Sequence, residues 1–308
     1  MALSSLSRTA ILRAADSERL QRFVQAHGMR FGAARFVAGE TLDECVSVLR
    51  RLNEDGLHAN TTVLGEAIPD AAGAAAVTAE YEVVLTRLVA EELRANVALK
   101  LTHLGLSFDE EAAYANVERL VARAGELGSF IRIDMEQSEL VDPTLRIYER
   151  LRAAGHDNVG TALQSYLRRT PEDLERLLPL SPNLRIVKGA YLEPAAIAYP
   201  DKSDVDRAYV ALVERGLREG AYVAVATHDE AIIGHVRAFA EREGIARDRF
   251  EFQMLYGVRS GLQRSIAAEG QKVLVATPFG PDWYPYLMRR LAERPANVGF
   301  VVRNVVRG

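Results

Sequence analysis

Eight short apolar segments alternating with amphipathic stretches are the feature that most constrains the fold of this chain. Several are continuous apolar runs, as in residues 221–226, which is typical of parallel strands buried on both faces. We predict strands at residues 60–64, 96–101, 130–134, 158–163, 184–187, 222–226, 249–253 and 272–276. The clearest amphipathic stretches predict helices at residues 109–127, 142–154, 170–178, 204–219 and 230–243.

Strands that alternate with helices, with no break in composition along 308 residues, predict an α/β protein whose parallel strands close into a (β/α)8 barrel. A doubly wound open sheet is the alternative, but its usual G-x-G-x-x-G fingerprint is absent, as is a P-loop. Residues 5–30 and 41–56 also show helical periodicity. We therefore expect an N-terminal helical arm over residues 1–56, packed on a single barrel domain over residues 57–308.

Composition and charge exclude several classes of protein. The net charge of −4 and the dispersed Lys and Arg residues predict no binding to nucleic acid. No apolar run approaches the roughly 18 residues of a membrane-spanning helix, and the first residues lack a signal-peptide pattern. The six scattered histidines and the single Cys45 predict no metal site and no internal disulfide, as expected of a cytoplasmic protein. Cys45 follows a capping box of Thr41 and Glu44, so we expect it to pack on a helix.

Polar side chains follow nearly every predicted strand at its carboxyl end, where barrel enzymes place their chemistry. These side chains are Glu66, Lys100, Asp134, Gln164, Lys188, His228, Gln253 and Thr277. A barrel mouth holds several charges at low cost only when a ligand helps to satisfy them, so this pattern favours a binding cavity. Two alternatives stay open: in the first, Lys100 and Asp134 form a structural ion pair, and in the second, His228 is a hydrogen-bonded core histidine.

The last predicted helix follows Asp282, a capping residue, and carries Pro285 in its first turn. Paired guanidinium groups bind a carboxylate in a planar, bidentate way. One stripe of this helix therefore predicts a carboxylate clamp. We expect Glu66 and Glu293 to hold the two arginines of the clamp in place. A solvated face with an Arg–Glu pair is the alternative. The stripe, at i, i+3, i+4 and i+7 spacing, consists of Tyr286, Arg289, Arg290 and Glu293.

Together these motifs resemble the proline dehydrogenases in their short, monofunctional bacterial form, and the resemblance spans almost the whole chain. The most specific combination is Arg185-x-Val-Lys-Gly-Ala-Tyr191 with a downstream Tyr286-x-x-Arg289-Arg290-x-x-Glu293. The other matching positions are Leu64-Gly-Glu66, Lys100, Ile133-Asp134, Gln164, Ala226-Thr-His228 and Glu251-Phe-Gln253-Met-Leu255. Ala276 departs from the pattern, since many members carry a tyrosine there, and we expect substrate affinity or analogue preference to differ accordingly.

The resemblance implies a reaction and a cofactor. The reaction is oxidation of L-proline to 1-pyrroline-5-carboxylate, the first step of proline catabolism, with a hydride passed to N5 of FAD. The FAD is bound non-covalently across the strand ends of a distorted (β/α)8 TIM-type barrel, beneath the last helix. Electrons then pass to a quinone-type acceptor, expected to be a membrane quinone. The protein is accordingly expected in the cytoplasm, with peripheral contact at the inner face of the cytoplasmic membrane.

The resemblance also implies roles for individual residues. It makes Asp134 and Arg185 the catalytic positions, with Arg185 near N5 of the flavin. The implied substrate positions are Lys100, Tyr191, Leu255, Tyr286, Arg289, Arg290, Glu293 and Glu66. The implied cofactor positions are Met135, Gln164, Arg185, Val187, Lys188, Gly189, Ala190, Thr227, His228 and Gln253. We also hypothesise that Glu66 pairs with an arginine of the clamp as a gate over bound substrate.

Two other interpretations of the barrel mouth differ in kind. A Schiff-base enzyme with Lys100 or Lys188 as nucleophile explains a lysine at a strand end, but it leaves the double-arginine helix unexplained. A non-catalytic scaffold predicts no bound chromophore and gives no reason for charges in the mouth.

Overall fold

The computed structural model describes residues 33–65 and 68–293, with side chains as far as Met288. The strands close into one barrel, in which all neighbours are parallel and spatial order follows chain order. The predicted barrel is confirmed, and the open doubly wound sheet is wrong. The strands are β1 (His58–Val63), β2 (Ala95–Leu99), β3 (Ile131–Ile133), β4 (Val159–Gln164), β5 (Asn183–Val187), β6 (Tyr222–Ala226), β7 (Phe250–Leu255) and β8 (Val273–Phe279).

The predicted strands differ from the observed ones mainly at their carboxyl ends. β7 continues past Gln253 to Leu255, and β8 continues past Ala276 to Phe279. In contrast, β2 and β3 end just before Lys100 and Asp134. These two side chains therefore belong to the loops at the mouth of the barrel.

Helices surround the barrel, and most match the predicted stretches. They are α1 (Leu42–Glu54), α2 (Ala71–Ala90), α3 (Glu110–Glu126), α4 (Val141–Ala153), α5 (Thr170–Leu177), α6 (Lys202–Arg218), α7 (Glu230–Arg242), α8 (Ser260–Ala268) and α9 (Trp283–Glu293). Apolar periodicity does not predict α2, because alanines and valines extend around its whole circumference and obscure the stripe formed by Tyr81 and Leu85. Its start is set by Asp70, which accepts a hydrogen bond from the N–H of Gly73 at 2.8 Å. The short α8 was also not predicted. Across residues 33–65 and 68–293, no helix combines the length and apolar character needed to cross a membrane.

Helix α1 begins with the predicted capping box. The Thr41 hydroxyl accepts from the N–H of Glu44 at 3.3 Å, and the Glu44 carboxylate accepts from the N–H of Thr41 at 3.2 Å. One turn into the helix, Cys45 is fully buried, with Sγ 3.3 Å from the hydroxyl of Thr61 on β1. Burial raises the pKa of the Cys45 thiol to about 11, so the thiol is neutral and serves as a packing group.

Helix α9 and the first described residues form a small apolar cluster of their own. Trp283 is fully buried, and its indole N–H donates to the Glu40 carboxylate at 2.6 Å. Leu64 and Val258, which follow β1 and β7, also pack against the cluster, so α9 lies at the carboxyl end of the barrel. The predicted helix at residues 5–30 lies outside the described residues, and the domain division stays a prediction. The buried members are Ala33, Phe36, Val37, Trp283, Tyr284, Leu287 and Met288.

Candidate functional site

Strand β5 carries Arg185 into the interior of the barrel. Its neighbours in sequence, Leu184 and Ile186, are buried in the main hydrophobic core, and the alternation of side chains along a strand turns Arg185 to the opposite face. In the register of the sheet, Arg185 lies between Ala162 on β4 and Ala224 on β6. These two small side chains leave the guanidinium group room inside the barrel.

Three acceptors from distant parts of the chain bind the Arg185 guanidinium group. Nε donates to Oε1 of Gln253 on β7 at 2.6 Å, and Nη2 donates to Oδ1 of Asn60 on β1 at 2.7 Å. Nη1 donates to Oδ1 of Asp134, just after β3, in a direct ion pair. Arg185 is only 8% exposed, so its position is fixed by these contacts. The structure thus brings together the two residues expected to be catalytic, and Asp134 has Arg185 as an ion-pair partner.

A second carboxylate, Glu136, connects the loops that follow β2 and β3. Its Oε1 accepts from the N–H of Thr102 at 3.1 Å, and its Oε2 accepts from the Thr102 hydroxyl at 2.6 Å. Burial raises the pKa of Glu136, although both hydrogen bonds from Thr102 oppose that effect. The contact holds the segment that begins at Lys100 against the one that begins at Asp134. Sequence reasoning missed Glu136, although its place two residues after Asp134 was a usable signal.

The barrel interior stays polar nearer the amino ends of the strands. Arg132, 2% exposed, donates to the carbonyl oxygens of Thr161 at 2.9 Å and Asn183 at 2.7 Å. Burial, together with the nearby charge of Arg185, lowers the pKa of Arg132 to about 10. The barrel interior therefore holds two buried guanidinium groups, Arg185 at the mouth and Arg132 nearer the amino ends of the strands.

At the end of β4, the buried side-chain oxygen Oε1 of Gln164 has no hydrogen-bond partner in the described part of the chain. A buried acceptor of this kind is expected to have a donor, which a ligand can supply. Nearby, Gly189 has a φ of +112°, and a Cβ there would lie 2.2 Å from Cδ1 of Tyr166, so glycine is required by both backbone and space. A cavity of about 510 Å³ opens beside it, lined in part by Ala190 and Tyr191.

The ends of β6 and β7 are joined through His228. Its Nε2 accepts from the N–H of Leu255 at 2.9 Å, so the ring presents an unprotonated nitrogen there. The backbone N–H of Thr227 donates to the carbonyl oxygen of Gln253 at 3.1 Å. His228 is half-buried at the barrel mouth rather than enclosed in the core.

Lys188 turns away from this interior. Its ammonium group forms ion pairs with Asp206 on α6 and, at 3.5 Å, with Asp229 at the start of α7. A lysine whose ammonium group is bound by two carboxylates is not placed as a free amine nucleophile. This contact weighs against the Schiff-base interpretation that uses Lys188.

The remaining predicted positions are placed less completely. Ala276 pairs in the sheet with Asn60 and Leu255, so the three share the inner face of the barrel. Met135 is buried, whereas Val187 and Tyr286 are half-buried. Glu66 lies outside the described residues. The backbone of Arg289, Arg290 and Glu293 belongs to α9, but their side chains lie outside the described part. Across residues 33–65 and 68–293, no three His, Cys, Asp or Glu side chains form a metal-binding group.

Comparison with known proteins gives matches along nearly the whole chain. A family model described as proline dehydrogenase matches residues 45–303. The chain is 42% identical to proline dehydrogenase of Deinococcus radiodurans over 310 residues, which cover 99% of this chain and 100% of the relative. It is 39% identical to proline dehydrogenase 1 of Bacillus subtilis over 292 residues, covering 95% of this chain and 96% of the relative.

A solved structure shares the fold. The crystal structure of proline utilization A from Bdellovibrio bacteriovorus, inactivated by N-propargylglycine, superposes with a TM-score of 0.81. The sequence identity is 24%, and the match covers 88% of this chain but 34% of the other. This likeness shows the same barrel within a longer protein.

The Arg185 contacts generate a prediction on stability. Replacing Arg185 by Met removes the donor from Asp134, Asn60 and Gln253, and each buried acceptor left unsatisfied costs roughly 1–3 kcal/mol. We expect Arg185→Met to lower the free energy of unfolding in urea by at least about 2 kcal/mol. Arg123→Met is the matched control, because Arg123 pairs with Glu126 on the surface of α3 at 2.8 Å, where a pair contributes about 1 kcal/mol at most. Equal effects of the two substitutions would contradict the account of Arg185.

Proposed function

This chain belongs to the proline dehydrogenase family, and we propose that it oxidises L-proline with FAD bound non-covalently at the barrel mouth beside Arg185. The predicted family, the enzyme class and the role in the first step of proline catabolism are confirmed by the family match and the nearly full-length relatives. Members of this family are flavin-dependent. The observation that carries the proposal is the Arg185 guanidinium group, buried and fixed at the strand ends.

The residues of the mouth fit a flavin. The isoalloxazine ring carries one N–H donor among several acceptors, and the unsatisfied oxygen of Gln164 requires such a donor. The N–H groups of Arg185 complement the acceptors, and Gly189 keeps the wall beside Tyr166 free of a side chain. We propose that FAD is held by these residues together with Met135, Val187, the backbone of Lys188, Ala190, Thr227, His228 and Gln253. When bound, FAD supplies the acceptor for the hydride that leaves C5 of proline.

The protein contributes orientation, exclusion of water and electrostatics. The positive charge of Arg185 stabilises electron density gained beside it during the reaction. Asp134 keeps that charge in place through their ion pair. Glu136 and Thr102 keep Lys100, which we assign to the substrate, beside Asp134.

The substrate carboxylate is assigned to Arg289 and Arg290 on α9. The position of α9 at the carboxyl end of the barrel supports this role. Tyr286 and Glu293 share the same helical stripe, and Glu66 is proposed as the gate that pairs with one arginine. The walls of the proline site are assigned to Tyr191 and Leu255, with Ala276 beside Leu255 in the sheet.

We propose a membrane quinone as the electron acceptor, reached by a cytoplasmic protein from the inner face of the membrane. Leu192 is 78% exposed and Ile197 is 38% exposed, and both belong to the loop that follows β5. That loop also lines the cavity beside Tyr191, so an apolar surface adjoins the site. This arrangement supports lipid contact close to where electrons leave.

The first test is the visible spectrum of the purified protein before and after anaerobic addition of L-proline. We expect a flavin spectrum that bleaches when proline is added. Arg290→Met should keep the flavin spectrum, but the proline concentration at half-bleaching should rise at least about 10-fold. The reason is that a charge-assisted hydrogen bond contributes roughly 1.5–3 kcal/mol. Glu66→Ala should likewise raise the KM for proline if Glu66 is the gate.

Arg264→Met on α8 is the control for the clamp, since Arg264 forms a surface pair with Asp55 at 3.3 Å. It should bleach at the same proline concentration as the unaltered protein. A bound flavin that proline does not bleach, or a colourless protein that FAD fails to reconstitute, would contradict the proposed function.

The proposed lipid contact predicts that Leu192 and Ile197 matter only with a membrane acceptor. Burial of such a side chain in lipid contributes about 1.5–3 kcal/mol. The double change Leu192→Ser with Ile197→Ser should therefore lower activity with quinone in lipid vesicles about 10-fold, and retain activity with a water-soluble dye. Val83→Ser is the control, because Val83 is 60% exposed on α2. Equal activity with vesicles in the unaltered protein, the double variant and Val83→Ser would contradict the proposed lipid contact.

A further inference from the structure

Glu251 on β7 is a buried carboxylate that the proposed mechanism does not use. It is 3% exposed and lies two residues before Gln253, on the same inner face of the strand. Its Oε2 accepts from the Tyr222 hydroxyl at 2.8 Å and forms an ion pair with the Lys272 ammonium group at 2.8 Å. Lys272 is partly exposed, so its ion pair with Glu251 connects the barrel interior with the surface at the amino ends of the strands.

The other oxygen of Glu251 determines how the Gln253 amide is oriented. Nε2 of Gln253 donates to Oε1 of Glu251 at 2.5 Å, while Oε1 of Gln253 accepts from Nε of Arg185 at 2.6 Å. The reversed amide would place its NH2 group against a guanidinium donor and its oxygen against a carboxylate. An ionised carboxylate only accepts hydrogen bonds, and a guanidinium group only donates them. One orientation of Gln253 is therefore compatible with both neighbours.

Glu251 is ionised in this setting. Burial alone would raise its pKa, but the charge of Lys272 and the hydrogen bonds from Lys272, Gln253 and Tyr222 lower it below the ordinary value. Burial and the negative charge of Glu251 in turn raise the pKa of Tyr222, so the Tyr222 hydroxyl keeps its proton and donates it. The carboxylate is thus a permanent acceptor beneath the site.

We propose that Glu251 is a positioning residue, which orients the Gln253 amide and through it holds the Arg185 guanidinium group at the barrel mouth. The inference rests on the proposed function, since Arg185 is the group assigned there to the flavin. Glu251 itself touches neither cofactor nor substrate. Its effect on the reaction passes through two hydrogen bonds, Glu251 to Gln253 and Gln253 to Arg185.

The test is Glu251→Gln in the FAD-loaded protein, with steady-state kinetics and a redox titration of the bound flavin without proline. In Glu251→Gln the new amide oxygen stays with Lys272, which only donates, so the NH2 group faces Nε2 of Gln253. The Gln253 amide then has to turn, Arg185 loses its Gln253 acceptor, and the midpoint potential of the flavin falls. Simple removal of a negative charge would instead raise that potential. We expect kcat to fall at least about 10-fold while KM for proline stays within about twofold, because misplacement of a reacting group reduces the rate of the chemical step.

Glu269→Gln is the matched control. It makes the same charge change in a surface pair, where Glu269 contacts Arg237 at 2.6 Å, and should leave both readouts as in the unaltered protein. Should Glu251→Gln fail to fold, Glu251→Asp keeps the negative charge but withdraws the carboxylate from Nε2 of Gln253, and it is expected to lower the flavin potential and kcat in the same way.

A raised or unchanged potential in the folded variants, or unchanged kcat, would overturn the inference. Failure of the proposed function is distinguishable, because it would appear in the unaltered protein as a flavin that proline does not reduce.

Discussion

The buried guanidinium group of Arg185 is the constraint on which the rest of the site depends. A charge removed from water is stable only when its donors are satisfied, and here the acceptors are Asn60, Asp134 and Gln253. They come from β1, the end of β3 and β7, which meet only when β1 pairs with β8 and closes the barrel. Closure of the barrel and assembly of the site are therefore the same structural event.

The interior of this barrel differs from one filled with layers of branched apolar side chains. Arg132 lies below Arg185, and Glu251 binds Gln253, Tyr222 and Lys272 towards the amino ends. Small residues at Ala162 and Ala224 make this arrangement possible, because they flank Arg185 in the sheet. Rigid support beneath the mouth suits an enzyme whose cofactor performs the chemistry and whose protein supplies orientation.

Much of this organisation can be predicted from sequence, because buried parallel strands and amphipathic helices have distinct periods. The polar ends of the strands also predict Asp134 and Gln164 as site residues, and the family resemblance adds Arg185. The hydrogen-bond partners of these residues could not be predicted. Asn60 and Glu251 have no distinguishing sequence pattern, and they reach their partners only when barrel closure brings distant strands together. The pattern also left open the ion-pair partner of Asp134, and closure of the barrel places Arg185 beside it. Helix α2 was missed for a local reason, since its alanine-rich sequence lacks a clear stripe.

The most direct measurement is a crystal structure of the protein with FAD and a non-oxidisable cyclic analogue of proline. The account predicts the isoalloxazine ring at the carboxyl ends of β4, β5 and β6, with Arg185 against it, Gln164 hydrogen-bonded to it, and the analogue's carboxylate on Arg289 and Arg290. A flavin bound elsewhere, or an Arg185 that leaves Asp134 and Gln253 to pair with the analogue, would contradict the account.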